Sequence, residues 1–193
     1  ISQLYVASTN PPSLAAIVPL STIADAWEMQ WPGGIYNEGF TRQWVNAREE
    51  QSQAGGASWV TKRIENGDEV CADNLSLSSH SVDFETFLRA MDVRPAEADA
   101  RDLNQLVTQI EAAVFYGGSF QDEQTGAQFG DMLDKFDNAR AFRALLSNGR
   151  HPDGYSPRSI SRWYEFLEFY LSERIPELNP LLRTLGAPEF GKS

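Results

Sequence analysis

Residues 112–118 read AAVFYGG, an unbroken apolar run that ends in two glycines. A short apolar run of this kind is typical of a strand that is buried on both faces in a parallel sheet. Two other stretches have the same character, AAIVPLS at 15–21 and AFRALLS at 141–147. The three runs therefore predict three strands of one parallel sheet.

The stretches beside these runs follow a helical spacing. Ile1, Leu4 and Tyr5 lie at i, i+3 and i+4, and the helix they predict ends before Pro11. Residues 129–136 keep apolar side chains at i, i+3, i+4 and i+7, which predicts an amphipathic helix. Ser156-Pro157 is a capping residue followed by proline, and it begins a helix. The predicted apolar face of that helix is Ile160, Trp163, Tyr164, Leu167, Tyr170 and Leu171. Strands and helices that alternate in this way indicate an α/β domain.

The middle of the chain, residues 26–109, has a different character. It contains no clear buried strand, is rich in polar residues and holds four of the five tryptophans. Helical patches such as the one over 84–91 predict an α-helical insertion, because ordinary connections between adjacent strands are far shorter. The sequence thus divides into a core formed by 1–25 and 110–175, a helical insertion at 26–109 and a linker-like tail at 176–193.

Composition excludes several classes of function. The 193 residues carry a formal net charge of −11, so the surface repels phosphate backbones, and no basic stripe is present for nucleic-acid binding. The apolar runs are too short to span a bilayer, which argues against a membrane protein. The single cysteine, Cys71, lies among carboxylates that disfavour its thiolate, so we interpret it as structural or incidental. With only two histidines, His80 and His151, a thiolate–imidazole zinc cluster is excluded. The compartment is not decided by these facts.

Two loop residues are candidates for catalysis. Asp122 follows the second apolar run and His151 follows the third, so both lie beyond the carboxyl ends of adjacent strands, where open α/β sheets bind ligands. A carboxylate that holds one imidazole nitrogen lets the other nitrogen act as a base. The alternatives are that Asp122 is a turn residue and His151 a surface residue. For His80, in the polar context Ser78-Ser79-His80-Ser81, a solvated surface role is favoured.

Several segments, in order, carry a resemblance to a known family. They are ISQLYVASTNPPSLAAIVPLS at 1–21, WPGGIYN at 31–37, the stretch from Gly117-Gly118 to DEQTG at 122–126, and NGRH at 148–151. The chain resembles the cocaine esterase and X-prolyl dipeptidyl peptidase (CocE/NonD-type) family of acyl hydrolases. The resemblance implies an α/β-hydrolase fold, here the C-terminal half of its sheet, with a helical cap insertion.

The resemblance also implies roles for individual residues. Asp122 would be the catalytic acid and His151 the catalytic base. Trp27, Trp31 and Tyr36 would be pocket residues of the cap, although packing within a small helical unit is the favoured interpretation for them. No metal or organic cofactor is implied, and the substrate would be a small ester, an amide or a short X-prolyl peptide, between which the sequence does not choose.

The nucleophile of that family, a serine in a Gly-x-Ser-x-Gly turn, is not found in these 193 residues. Ile1 begins a helical pattern without a capping residue, and the resemblance places the missing turn directly before it. The tail would lead to a β-sandwich domain. We therefore expect an interior fragment that is inactive alone and whose partner is the remainder of the same enzyme. The alternative is a non-catalytic α/β module that binds a ligand or a partner.

Overall fold

The computed structural model describes residues 1–52, 58–78 and 83–176. Its centre is a parallel sheet with the strands β1 (Ala16–Ile17), β2 (Ala113–Ser119) and β3 (Phe142–Ser147) in that spatial order. The predicted parallel sheet is confirmed. β1 is shorter than its apolar run because Pro19 has no N–H to donate, although its carbonyl accepts the Gly117 N–H at 3.0 Å. Pairing resumes at Leu20, where the Ser21 N–H donates to the Gly117 carbonyl at 3.0 Å.

β2 is buried along its whole length, and its side chains alternate between two hydrophobic cores. Val114 and Tyr116 pack on one side of the sheet, and Ala113 and Phe115 pack on the other. A central strand covered on both faces has apolar residues at every position, which is why this run could be recognised in the sequence.

The two glycines that end the run allow close packing on the strand. A Cβ atom on Gly117 would collide with the Leu20 side chain, and one on Gly118 would collide with the Phe129 ring. Each core therefore approaches the backbone of β2 directly, at the point where the strand leads into its exit loop.

Helices cover both faces of the sheet. α1 (Ser2–Ser8) places Leu4 and Ala7 in the first core. α9 (Pro157–Tyr170) covers the other face, and Ser156 caps it by accepting the Ser159 N–H at 3.3 Å, as the sequence predicted. Its predicted apolar face is wrong at Ile160, Tyr164 and Leu171, which are exposed. The stripe that contacts β2 consists of Trp163, Phe166, Leu167 and Tyr170.

The helices described between β1 and β2 account for most of that segment. They are α2 (Ala26–Gln30), α3 (Phe40–Ser52), α4 (Ser58–Glu65), α5 (Glu69–Ser78), α6 (Phe84–Arg89), α7 (Ala96–Asp99) and α8 (Leu103–Leu106), with 3₁₀-helices at Pro32–Gly34 and Val107–Gln109. Leu103 and Val107, at the end of this segment, belong to the core beneath the sheet. No helix in the described part of the chain has the length and hydropathy needed to cross a membrane.

The helix predicted over 129–136 is wrong in type. The structure has a 3₁₀-helix at Gln128–Met132, followed by turns. Phe129, Met132 and Phe136 are buried as their spacing required, but Gly130 and Asp134 are poor helix formers, and a tighter turn buries the same side chains. His80 and residues 177–193, which include nearly all of the predicted tail, lie outside the described residues.

Candidate active site

The exit loops of β2 and β3 lie side by side because the strands are parallel neighbours. Ser119 and Ser147, the last residues of the two strands, contact each other through their hydroxyl groups at 3.0 Å. Beyond them, Phe120 N–H donates to the Ser147 carbonyl at 2.9 Å, and Gln121 N–H donates to the Gly149 carbonyl at 3.0 Å. The acid loop (residues 120–126) and the histidine loop (residues 148–151) are therefore hydrogen-bonded to each other before either candidate residue is reached.

Asp122 is held in place by its own loop. Its Oδ1 accepts the backbone N–H groups of Gln124 and Thr125, each at 2.9 Å, and only 1% of the side chain is exposed. These are the contacts of a turn-forming aspartate. The turn leaves the carboxylate facing the neighbouring loop, so Asp122 is a turn residue and a partner for His151 at once.

The His151 ring meets this carboxylate. Nδ1 lies 2.9 Å from Oδ2 and 3.0 Å from Oδ1 of Asp122, which is the contact that the sequence predicted. An ionised carboxylate only accepts, so Nδ1 is the donor in this contact, and in a neutral imidazole with that tautomer Nε2 carries the lone pair. About a third of the His151 side chain is exposed. No group among residues 1–52, 58–78 and 83–176 hydrogen-bonds to Nε2.

The surroundings of Asp122 favour its charged form. Burial alone would raise its pKa, but the hydrogen bonds from the backbone of Thr125 and Gln124 and from the His151 ring outweigh burial and lower the pKa below the ordinary aspartate value. Asp122 is therefore ionised at neutral pH, as a group that stabilises a protonated imidazole must be.

The histidine loop is a tight turn joined directly to a helix. His151–Tyr155 forms a 3₁₀-helix, and Asp153 accepts the Arg150 N–H at 2.7 Å. A Cβ atom on Gly149 would collide with the Asp153 side chain, so a larger residue here would displace the carboxylate that accepts the Arg150 N–H. At the other end, Ser159 in the first turn of α9 donates its hydroxyl to the Asp153 carbonyl at 3.0 Å. The candidate base is thus fixed to α9.

Glu123 is a part of the site that sequence reasoning missed. Its Oε2 accepts the backbone N–H of His151 at 3.2 Å. Within the described ranges, no three His, Cys, Asp or Glu residues are placed to hold a metal ion. The signal that could have found the contact was the position of Glu123, next to Asp122 in a loop beside the histidine.

The predicted pocket aromatics contact residues of the insertion. Trp27 Nε1–H donates to the Met91 carbonyl at 2.8 Å, and Trp31 Nε1–H donates to the Leu88 carbonyl at 3.1 Å. The Trp31 and Tyr36 rings pack edge to face at 5.2 Å. In the part of the chain that the structure describes, the side-chain hydrogen bonds and ring contacts of these three residues stay within 26–109, which fits packing; contact with a substrate remains a prediction.

The start of the insertion is connected to the segment behind the acid loop. Gln128 Oε1 accepts the N–H groups of Ala24 and Asp25 at 3.2 and 3.4 Å. Asp25 caps α2 and forms an ion pair with Arg94, which also contacts Asp99 at 2.6 Å. Arg94 therefore joins the N-terminus of α2 to α7.

The model of the X-Pro dipeptidyl-peptidase (S15) family matches residues 1–153. The chain belongs to this family. The matched region contains β1, β2, β3, the acid loop and His151. The family resemblance predicted from the sequence is confirmed. A search of curated proteins found no match to the chain.

Solved structures show the fold of this S15 family chain. A CocE/NonD family hydrolase from Staphylococcus aureus is 18% identical, with a TM-score of 0.67 over 91% of this chain and 28% of its own. An aminopeptidase from a marine sediment Thaumarchaeota archaeon is 15% identical, with a TM-score of 0.61 over 92% of this chain and 34% of its own. The chain has the α/β-hydrolase fold, as expected, and spans about a third or less of the length of these proteins.

Proposed function

We propose that this chain supplies the catalytic acid and the catalytic base of a serine-type acyl hydrolase that cleaves esters or amides. The observation that carries the proposal is the 2.9 Å contact between His151 Nδ1 and a buried, ionised Asp122. Membership of the S15 family supports hydrolysis as the reaction class. In this proposal, residues 26–109 form a cap beside the site.

The proposed nucleophile is a serine outside residues 1–193, supplied by the remainder of the same enzyme. His151 Nε2 takes the serine proton as the hydroxyl oxygen attacks the substrate carbonyl, and Asp122 stabilises the imidazolium that results. The imidazolium then protonates the leaving alcohol or amine, which leaves an acyl-enzyme. Water, deprotonated by the same nitrogen, cleaves the acyl-enzyme and regenerates the serine. On this proposal the 193-residue chain does not turn over substrate alone.

The substrate is proposed to be a small ester, an amide or a short peptide. The serine oxygen must lie within hydrogen-bond reach of His151 Nε2, and the carbonyl carbon must lie against that oxygen with its leaving group also near Nε2. The His151 side chain is 32% exposed, which leaves room for both. The ring contacts the Asp122 carboxylate through Nδ1, so Nε2 is the ring nitrogen left for the serine.

Fluorophosphonate labelling of the gene product that contains this chain tests the proposal. We expect a labelled serine outside residues 1–193, with labelling lost in H151A and retained in H80A, which removes the other histidine of the chain. An intact, folded product that is not labelled, or an H151A variant labelled at the wild-type rate, would overturn the proposal.

The second candidate is a non-catalytic α/β module that binds a ligand or a partner. One observation favours it, which is that the 193 residues contain no Gly-x-Ser-x-Gly turn. The same experiment separates the two functions, because a module without a nucleophile remains unlabelled in the complete gene product.

A further inference from the structure

Two consecutive carboxylates hold the same histidine at different points. Asp122 contacts the His151 ring at 2.9 Å, and Glu123 accepts the His151 backbone N–H at 3.2 Å. The two side chains differ in exposure, since Asp122 is buried and Glu123 lies on the surface. The side chain and the main chain of His151 are thus held by neighbouring residues of the acid loop.

The His151 N–H needs an acceptor from another loop because the turn that it begins provides none. This N–H belongs to the first residue of the 3₁₀-helix His151–Tyr155, where backbone N–H groups have no partner within the helix. Pro152 has no N–H, and Asp153 N–H donates back to the Arg150 carbonyl at 3.0 Å. Glu123 therefore acts as a capping residue supplied by the acid loop.

A carboxylate suits this position better than a neutral acceptor. Hydrogen bonds to ionised acceptors are stronger than hydrogen bonds to neutral ones. Hydrogen bonds from its own backbone N–H and from the His151 N–H lower the pKa of Glu123 below the ordinary glutamate value. Glu123 thus remains a charged acceptor at neutral pH.

We infer that Glu123 is a positioning residue for His151 in the proposed hydrolysis. The inference rests on the proposed function. With the ring held at Nδ1 and the main chain held at its N–H, the imidazole cannot shift along the acid loop without breaking one contact. Nε2 is then kept at one place relative to the sheet, which proton transfer from a serine requires.

Two conservative variants separate the effect of side-chain length at position 123 from the effect of its charge. E123D keeps the charge but is one methylene shorter, so it cannot reach the His151 N–H. E123Q keeps the reach and an acceptor oxygen but loses the charge. E111A is the matched control, because it removes an exposed carboxylate just before β2, at the end of the strand opposite the acid loop.

The first measurement is NMR on the complete gene product with isotope-labelled histidine. In E123D we expect the His151 amide to exchange with solvent about tenfold faster than in the wild type, with a broadened Nδ1–H ring signal. In E123Q the acceleration stays within about threefold, because a neutral acceptor is weaker but present. E111A leaves both signals unchanged. Wild-type exchange in E123D, or a larger effect in E123Q than in E123D, would overturn the inference.

The second measurement uses the complete gene product with an ester substrate. E123D should lower kcat about tenfold with KM unchanged, and E123Q should recover most of the loss, because the contact positions the base and does not bind substrate. The two proposals fail in different ways. A product that no fluorophosphonate labels removes the hydrolase proposal, whereas a labelled product with unchanged kcat and unchanged amide exchange in E123D removes only the positioning role.

Discussion

The hydroxyl groups of Ser119 and Ser147 meet at 3.0 Å where β2 and β3 end. The two serines are the last paired residues of their strands, and the next hydrogen bonds already connect the two exit loops. Asp122 and His151 lie only a few residues beyond these serines, one in each exit loop. The geometry of the pair is therefore fixed by the sheet.

The serine contact predicts a measurable coupling energy. S119A and S147A should each lower the free energy of unfolding by about 1 kcal/mol, and the double variant should cost less than the sum, since each single variant leaves the other hydroxyl without its partner. Urea denaturation gives the four values of the cycle. S13A, at an exposed position, is the control and should be neutral within about 0.5 kcal/mol. Strict additivity of the two serine variants would contradict the role assigned to the contact.

A substitution that keeps the turn but removes the charge should stop catalysis. In D122N an amide oxygen can still accept the N–H groups of Gln124 and Thr125, so the acid loop is preserved. The protonated imidazole loses its counter-charge, and the labelling rate of the complete gene product should fall by about three to four orders of magnitude. E111Q makes the same chemical change away from the site and should leave the rate unaltered. A D122N product labelled at the wild-type rate would argue against the acid role.

Acid should destabilise the fold through Asp122. Because the folded-state pKa of Asp122 is lowered, its charged form contributes stability that is fully present above the unfolded-state pKa of about 4. That contribution is lost as the pH falls below this value and through the folded-state pKa. The free energy of unfolding, measured by urea titration at a series of pH values, should fall in this range more steeply for the wild type than for D122N. Parallel curves for the two proteins would be inconsistent with the pKa shift.

Loss of the Arg94 side chain should destabilise the contact between Arg94 and Asp25 at the N-terminus of α2. R94M keeps the aliphatic stem but leaves Asp25, whose side chain is 11% exposed, without its cation. We expect a loss of about 1 to 3 kcal/mol in the free energy of unfolding, because a poorly solvated carboxylate loses its partner. Limited proteolysis should also cut the insertion faster. R101M, at an exposed position, is the matched control. Equal proteolysis of both variants would exclude this role for Arg94.

The sequence alone predicted those parts of the fold in which every residue of a segment is buried. β2 could be predicted because both of its faces are covered. Asp122 could be placed near His151 because the two residues follow successive strands. The helix expected over 129–136 shows the limit of this reasoning. Apolar spacing reports which side chains are buried, and a 3₁₀-helix followed by turns buries Phe129, Met132 and Phe136 equally well.

The parts of the site that the sequence did not reveal depend on contacts between loops. Glu123 reaches a backbone N–H, and a backbone group has no residue identity that a motif could display. The face of α9 was misplaced for a related reason. Ile160 and Tyr164 fit the apolar spacing, but the register of the helix on β2 is set by Phe166 against Phe115, whose rings lie 5.6 Å apart.

The connection between the 3₁₀-helix His151–Tyr155 and α9 determines how His151 can move. Ser156 ends the 3₁₀-helix and caps α9, and the Ser159 hydroxyl returns to the Asp153 carbonyl, so no free linker separates the imidazole from the helix. Loops usually undergo excursions on nanosecond to microsecond timescales. The backbone of His151 is instead carried by a helix whose aromatic stripe is packed on the sheet. We therefore expect the backbone of the proposed base to move together with α9 and not as an independent loop.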